Sequence, residues 1–210
     1  MTTCALVGAA EFNADHFQEM DAQGAFDYVI AVDGGLKHLE SIGRSADMAL
    51  GDFDSLGYVP EGMRVARFSA KKSKSDMELG LERARNMRYE DLFVYGALGG
   101  RLDHTFANLQ LFAKYSERGA FVNAIGVTEA VTFVSGPDTF EMPAQESGTI
   151  SVFSMTDESR GVFERGLAYE LDDAVLSNRT SLGLSNEFIG EPVLIGVEQG
   201  TIGVFVPFVD

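Results

Sequence analysis

The chain has 210 residues, 45% of them hydrophobic, with 23 Gly and 5 Pro, which is enough for one large domain or two small ones with real cores. Sixteen basic residues stand against thirty-two acidic ones, a formal net charge of -16. That balance argues against a phosphate-tracking nucleic-acid binder and against binding to anionic membranes, both of which need a basic face.

The N-terminal stretch MTTCALVGAAEF has no basic leader, and its apolar run is too short for a signal peptide. No segment approaches the ~18–20 apolar residues of a membrane span. The single cysteine, Cys4, rules out an intramolecular disulfide and reads as a small apolar residue of the first strand. A cytoplasmic protein is expected.

Up to about Gly126, short apolar runs alternate with helical patterns. CALVGA (4–9), YVIAVD (28–33), DMALGD (47–52), RVARFS (64–69), DLFVYGAL (91–98) and AFVNAIG (120–126) read as strands. Helices are expected near 13–22, 35–42, 76–88 and 103–117. Ser75 as N-cap with Glu78 three residues on makes a capping box, and Gly119 suits a helix end. Strands alternating with helices imply an open parallel, Rossmann-like sheet covered on both faces.

After about Thr128 the helical period disappears. AVTFVSG, TFEMP, GTISVFSM, GVFERGLAYEL and VLIGVEQGTIGVFVPF are short β runs broken by Gly, Pro, Asp and Ser. The last predicts a hairpin turning near Gln199-Gly200. The expected fold class is α/β, with an N-terminal domain over 1–127 followed by an all-β sandwich over 128–210.

In an open parallel sheet, ligands bind outside the carboxyl ends of the strands. The acids gather there. Asp33 follows one strand, with Gly34 and Gly35 free to bring the backbone close to a ligand. Asp52 and Asp54 follow the next, Asp76 opens a helix, and Gly99, Gly100, Arg101 and Asp103 follow a fourth strand. An Asp after a strand is also a common turn former or N-cap. Lys71, Lys72 and Lys74 read as a solvated loop that can also attract phosphate. His16, His38 and His104 lack zinc-ligand spacing.

Asp52 and Asp54 form a D-x-D beside a glycine turn. Two adjacent carboxylates repel unless a positive group lies between them. Mg2+ suits that place, since it takes one or two carboxylates and fills its shell with waters and substrate phosphates. No P-loop and no G-x-G-x-x-G is present.

Taken in order, the segments Asp33-Gly34-Gly35, Gly51-Asp52-Phe53-Asp54-Ser55, Ser75-Asp76-Met77-Glu78, Gly99-Gly100-Arg101-Leu102-Asp103-His104 and Ser185-Asn186-Glu187 resemble the thiamine pyrophosphokinase family. The resemblance spans nearly the whole chain. It implies transfer of a pyrophosphoryl group from ATP to the hydroxyethyl group of thiamine, with Mg2+ and release of AMP. It further implies that Asp52, Asp54 and Asp76 hold the metal and phosphates. Arg101 would then grip phosphate oxygens, with Asp103 and Asp33 lining the crevice and either able to orient the hydroxyl. Ser55, Ser75, Gly99, Gly100 and His104 fall in the ATP-side motifs, and Ser185 and Asn186 in the thiamine-side motif.

A homodimer through the β domains, with thiamine near the interface, is implied as well. The apolar C-terminal run GTIGVFVPFVD agrees with it, because such a run left on an exposed edge invites aggregation. Two departures stand out. Ser75 replaces a usual Thr, and the chain has no Trp, so Tyr169 or Phe188 is the candidate ring against thiamine. Alternatives from other classes are a Mg2+-dependent phosphatase or nucleotidyl hydrolase and a non-catalytic phosphometabolite sensor.

Overall fold

The computed structural model describes residues 2–53, 57–58, 61–68 and 73–208. It divides into two compact units, Met1–Leu111 with Val122–Val127, and Phe112–Phe121 with Thr128–Asp210.

The first unit alternates strands and helices: β1 (Thr3–Val7), α1 (Ala14–Ala22), β2 (Tyr28–Val32), α2 (Gly35–Ser41), β3 (Met48–Gly51), β4 (Arg64–Arg67), α3 (Asp76–Asn86), β5 (Asp91–Tyr95), the first part of α4 (Leu102–Ser116), and β6 (Phe121–Ile125). Its strands lie in the order β6-β5-β1-β2-β3-β4, and β5, β1, β2, β3 and β4 run parallel. Strands β1 to β3 read as unbroken apolar runs because both faces are covered, and nearly all their residues are buried. RVAR in β4 is mostly exposed, as fits the last strand of the row.

Helix α3 starts where the capping signal placed it, with the Ser75 hydroxyl accepting from the Glu78 N–H at 3.1 Å. It buries Met77, Gly80, Leu81 and Ala84 on one face. A Cβ at Gly80 would lie 3.0 Å from Val32 and 3.1 Å from Leu6, so the absent side chain lets the helix settle onto β1 and β2. Gly119, with φ 76°, closes the turn after α4 by donating to the Ser116 carbonyl.

The second unit holds β7 (Glu129–Ser135), β8 (Asp138–Met142), β9 (Thr149–Ser154), β10 (Glu158–Arg165), β11 (Leu171–Ser177), β12 (Asn186–Glu187), β13 (Val193–Val197) and β14 (Thr201–Pro207). They form two antiparallel layers, β12-β9-β14-β7 and β11-β10-β13-β8. Val134, Ile150, Val152, Ile202 and Val204 of one layer share a core with Val162, Leu176, Val193, Ile195 and Val197 of the other. This is the expected sandwich.

Two details correct the sequence reading. The segment around Gln199-Gly200 is no hairpin, because β13 belongs to one layer and β14 to the other. A glycine turn looks the same whether it pairs its flanking strands or carries the chain across the sandwich. Nor is β14 an edge strand. It is paired on both sides, with β7 and with β9, so its apolar run is accounted for within one chain. Among the described residues, no helix is long and apolar enough to cross a membrane.

Candidate active site

In the first unit, the parallel register brings the carboxyl ends of β5, β1, β2 and β3 to one edge of the sheet. Val7 stands beside Tyr95 and Ala31, and Val32 beside Leu50. The row branches at β1, which continues to β2 on one side and pairs with β5 on the other, and such a switch point opens a crevice for ligands. Asp33 and Asp52 follow β2 and β3 at this edge, and the Gly99–His104 segment follows β5.

Asp33 has φ 49° and Phe53, next to Asp52, has φ 63°. Left-handed backbone at residues other than glycine costs on the order of 1–3 kcal/mol and collects at functional sites. The Asp33 turn is held by its N–H donating to the Leu50 carbonyl at 2.7 Å. Gly35 opens α2 so close to β1 that a Cβ there would sit 1.8 Å from the Val7 carbonyl oxygen. Only glycine lets the D-G-G turn lie flat against the strand end. Asp52 and Asp76 are half-buried. Asp54 and Ser55 lie outside the described residues, as do Lys71 and Lys72. Lys74 forms an ion pair with Glu82 at 2.7 Å.

Arg101 and Asp103 form a forked pair, Nε to Oδ1 at 3.1 Å and Nη2 to Oδ2 at 2.6 Å, with both side chains exposed. Asp103 raises the Arg101 pKa, and the guanidinium holds the Asp103 carboxyl below its ordinary value. An exposed pair of this kind is readily exchanged for a phosphate, which offers the same fork more charge. His104 is exposed, and its N–H donates to Asp103 Oδ1. Asn108 and Thr105 tie the loop down from inside, donating to the carbonyls of Ala97 and Gly99.

Sequence reasoning did not find Glu11. Its carboxylate accepts from the Gly100 N–H at 3.2 Å, and a Cβ at Gly99 would meet it at 2.6 Å. The Gly99-Gly100 turn, with φ 79° and 64°, is therefore already shaped to receive an anionic oxygen. The only sequence signal was the position of Glu11 beyond the end of β1.

Among the described residues, no three His, Cys, Asp or Glu side chains are grouped to hold a metal ion. Asp52 and Asp76 are nevertheless hard oxygen donors. A hard divalent ion needs only one or two carboxylates when phosphates and waters complete its shell, so the residues present fit Mg2+.

The second unit carries Ser185 and Asn186. Ser185 is exposed, has φ 56°, and donates its N–H to the Ser151 hydroxyl. Asn186 is buried and fully engaged. Its Oδ1 accepts from the N–H groups of Tyr169 and Glu187, and its Nδ2 donates to the Tyr169 carbonyl and to Glu164 Oε2 at 2.8 Å. The amide thus fixes the Tyr169 backbone. Tyr169 is 67% exposed and lines a pocket of about 320 Å³ with Glu164, Leu182, Leu184, Ser185 and Asn186, whereas Phe188 is buried in the sandwich core. Of the two candidate rings, only Tyr169 faces this pocket.

Glu164 is the second group that sequence reasoning missed. It is fully buried on β10, and burial pushes its carboxyl pKa up while the Asn186 bond pulls it partly back. The fold thus favours the protonated form, whereas the unfolded chain ionises at the ordinary glutamate value. The stability contributed by Glu164 is therefore full below that value and is lost as pH rises through the raised one. Glu164→Gln, which does not titrate, is expected to be more stable than wild type by about 1 kcal/mol at neutral pH, with the gain vanishing in acid. Denaturant unfolding across that pH range measures it, and a pH-independent difference would refute the assignment.

Comparison with known proteins gives a consistent result. The family model described as "Thiamin pyrophosphokinase, catalytic domain" matches residues 22–123, and "Thiamin pyrophosphokinase, vitamin B1 binding domain" matches residues 139–202. The chain is 26% identical over 168 residues to the thiamine pyrophosphokinase of Bacillus subtilis, covering 76% of this chain and 78% of that one. The crystal structure of a Bacillus subtilis thiamine pyrophosphokinase is similar in fold, with a TM-score of 0.83 at 20% identity over the whole of both chains. So is that of Geobacillus thermodenitrificans thiamin pyrophosphokinase, at 0.82 and 23% identity over 100% of this chain and 99% of that one. The Candida albicans thiamin pyrophosphokinase keeps the fold at 14% identity, with a TM-score of 0.78 over 99% of this chain and 90% of that one. The two family domains follow one another along this chain in the order catalytic, then B1-binding, and the chain belongs to the thiamin pyrophosphokinase family.

Proposed function

We propose that the protein is an ATP:thiamine diphosphotransferase acting in the cytoplasm. The observation that carries this reading is the presence of both family domains on one chain. The hydroxyethyl oxygen of thiamine attacks the β-phosphorus of ATP, the bond from that phosphorus to the α,β-bridging oxygen breaks, and AMP leaves. The hydroxyl proton is released, and ATP plus thiamine gives thiamine diphosphate, AMP and H+. The family match favours neither a hydrolase nor a sensor.

Asp52, Asp54 and Asp76 would hold Mg2+, which when bound neutralises phosphate charge as it develops. The other roles belong to the chain's own groups. Arg101 turns its fork from Asp103 to the phosphate oxygens, and the Gly100 amide takes a further oxygen in place of Glu11. Asp33, on its strained turn, or Asp103, once released, would orient the attacking hydroxyl. Gly34, Gly35, Ser75 and His104 line the nucleotide side, and Ser55, outside the described residues, is assigned there by its motif alone. Ser185 and Tyr169 meet thiamine, with Asn186 acting through the Tyr169 backbone it holds.

The exposed apolar side chains Tyr169, Val175, Leu182, Leu184 and Ile189 of the second unit support a homodimer with thiamine bound near its interface. Light scattering at the concentrations used for turnover should give the mass of two chains, and a fully active monomer would remove the dimer from the account. The reaction itself is tested by AMP release from ATP, which should require thiamine and stop without it. AMP or phosphate release indifferent to thiamine would make the protein a hydrolase.

A further inference from the structure

Glu164 lines the second unit's pocket and carries a hydrogen-bonding atom unused among the described residues. The side chain is fully buried, and its Oε2 takes the Asn186 amide at 2.8 Å. Its Oε1 is equally buried and has no hydrogen-bond partner among the described residues. A bond to Asn186 alone explains why one oxygen is there, and a neutral hydroxyl would serve that purpose at less cost. A second carboxyl oxygen left bare costs free energy until something pairs with it.

The pocket supplies the place for that partner. Its volume of about 320 Å³ suits one or two rings, and Tyr169, Leu171, Leu182 and Leu184 give it apolar walls. Of the two rings of thiamine, the thiazolium has no N–H and no free ring-nitrogen lone pair, so it can offer Oε1 only its charge. The aminopyrimidine has ring nitrogens that accept a proton. The hydroxyethyl group, which must reach ATP, hangs from the thiazolium and is thereby directed away from the pocket floor.

We propose that Glu164 selects the aminopyrimidine end of the substrate, its Oε1 sharing one proton with a pyrimidine ring nitrogen while Asn186 holds Oε2. This rests on the thiamine pyrophosphokinase reading above. Burial keeps a proton on the acid to higher pH than usual, and the Asn186 donor at Oε2 leaves Oε1 as the atom to carry it. No covalent step is involved.

Steady-state kinetics on the whole enzyme with Mg-ATP test it, comparing thiamine with its two analogues in which one pyrimidine ring nitrogen is replaced by CH. Glu164→Leu should raise the thiamine KM by about tenfold or more while the ATP KM stays put. Glu164→Gln, which offers an N–H at the same place, should stay within about threefold of wild type. Wild type should lose about tenfold on one of the carbon analogues, and Glu164→Leu should lose nothing further on that same compound. A merely structural role would not produce that cancellation. A folded Glu164→Leu with unchanged thiamine KM overturns the proposal. If that variant does not fold, equal use of thiamine and both analogues by wild type overturns it. Failure of wild type to form AMP from ATP and thiamine would sink the parent reading and this one with it, whereas normal turnover with an undisturbed KM sinks this one alone.

Discussion

Asp52→Asn is expected to leave the fold intact and to lower kcat by about a hundredfold or more, because a metal-held phosphate is worth several kcal/mol of transition-state stabilisation. Asp52 is half-buried at the end of β3, beside a left-handed Phe53, so the position has been built at a cost in backbone strain. Asparagine keeps the size and the turn chemistry and removes the charge. Chelation of divalent ions should abolish turnover of the unaltered enzyme, and Mg2+ or Mn2+ should restore it. Steady-state kinetics together with a melting curve decide the matter. A near wild-type rate in the variant, or full activity in excess chelator, would leave the carboxylate as a turn former only.

Arg101→Lys should weaken use of ATP by about ten- to a hundredfold in kcat/KM with melting nearly unchanged, since lysine has no planar fork and a charged bidentate contact is lost. The exposed Arg101–Asp103 pair makes the experiment clean. An exposed pair contributes little to the fold, so its loss should not be felt in stability. A sharp fall in melting temperature with normal turnover per folded molecule would instead make Arg101 a structural ion-pair residue.

Much of this was legible in the sequence because two physical regularities act over short distances. Strands covered on both faces must be continuous apolar runs, and CALV, YVIAV and MALG are. A parallel sheet then forces the next residues, Asp33 and Asp52, to one edge. The Ser75 cap was equally local. What escaped was tertiary. Gln199-Gly200 carries the chain between layers rather than turning a hairpin, and β12 is only two residues long, too short for any periodicity. GVFERGLAYEL reads as one run, but Gly166, at φ 75° and with its Cβ position 2.1 Å from the Pro192 carbonyl oxygen, breaks it between β10 and β11.

The same limit applied to the site. Asn186 stood out by motif, but three of its four hydrogen bonds go to Tyr169 and Glu164, 17 and 22 residues away, and could not be read from spacing. Glu164 looked like one more charge on a strand of an acidic protein. Only the three-dimensional packing shows one of its oxygens used and the other without a hydrogen-bond partner among the described residues.

The most direct test of the account is phosphorus NMR of the protein with Mg-ATP and thiamine. Transfer of an intact pyrophosphoryl group predicts that the ATP signals give way to a single AMP resonance and the paired resonances of thiamine diphosphate, in equal amounts. ADP with thiamine monophosphate, or inorganic phosphate formed whether or not thiamine is present, would contradict it.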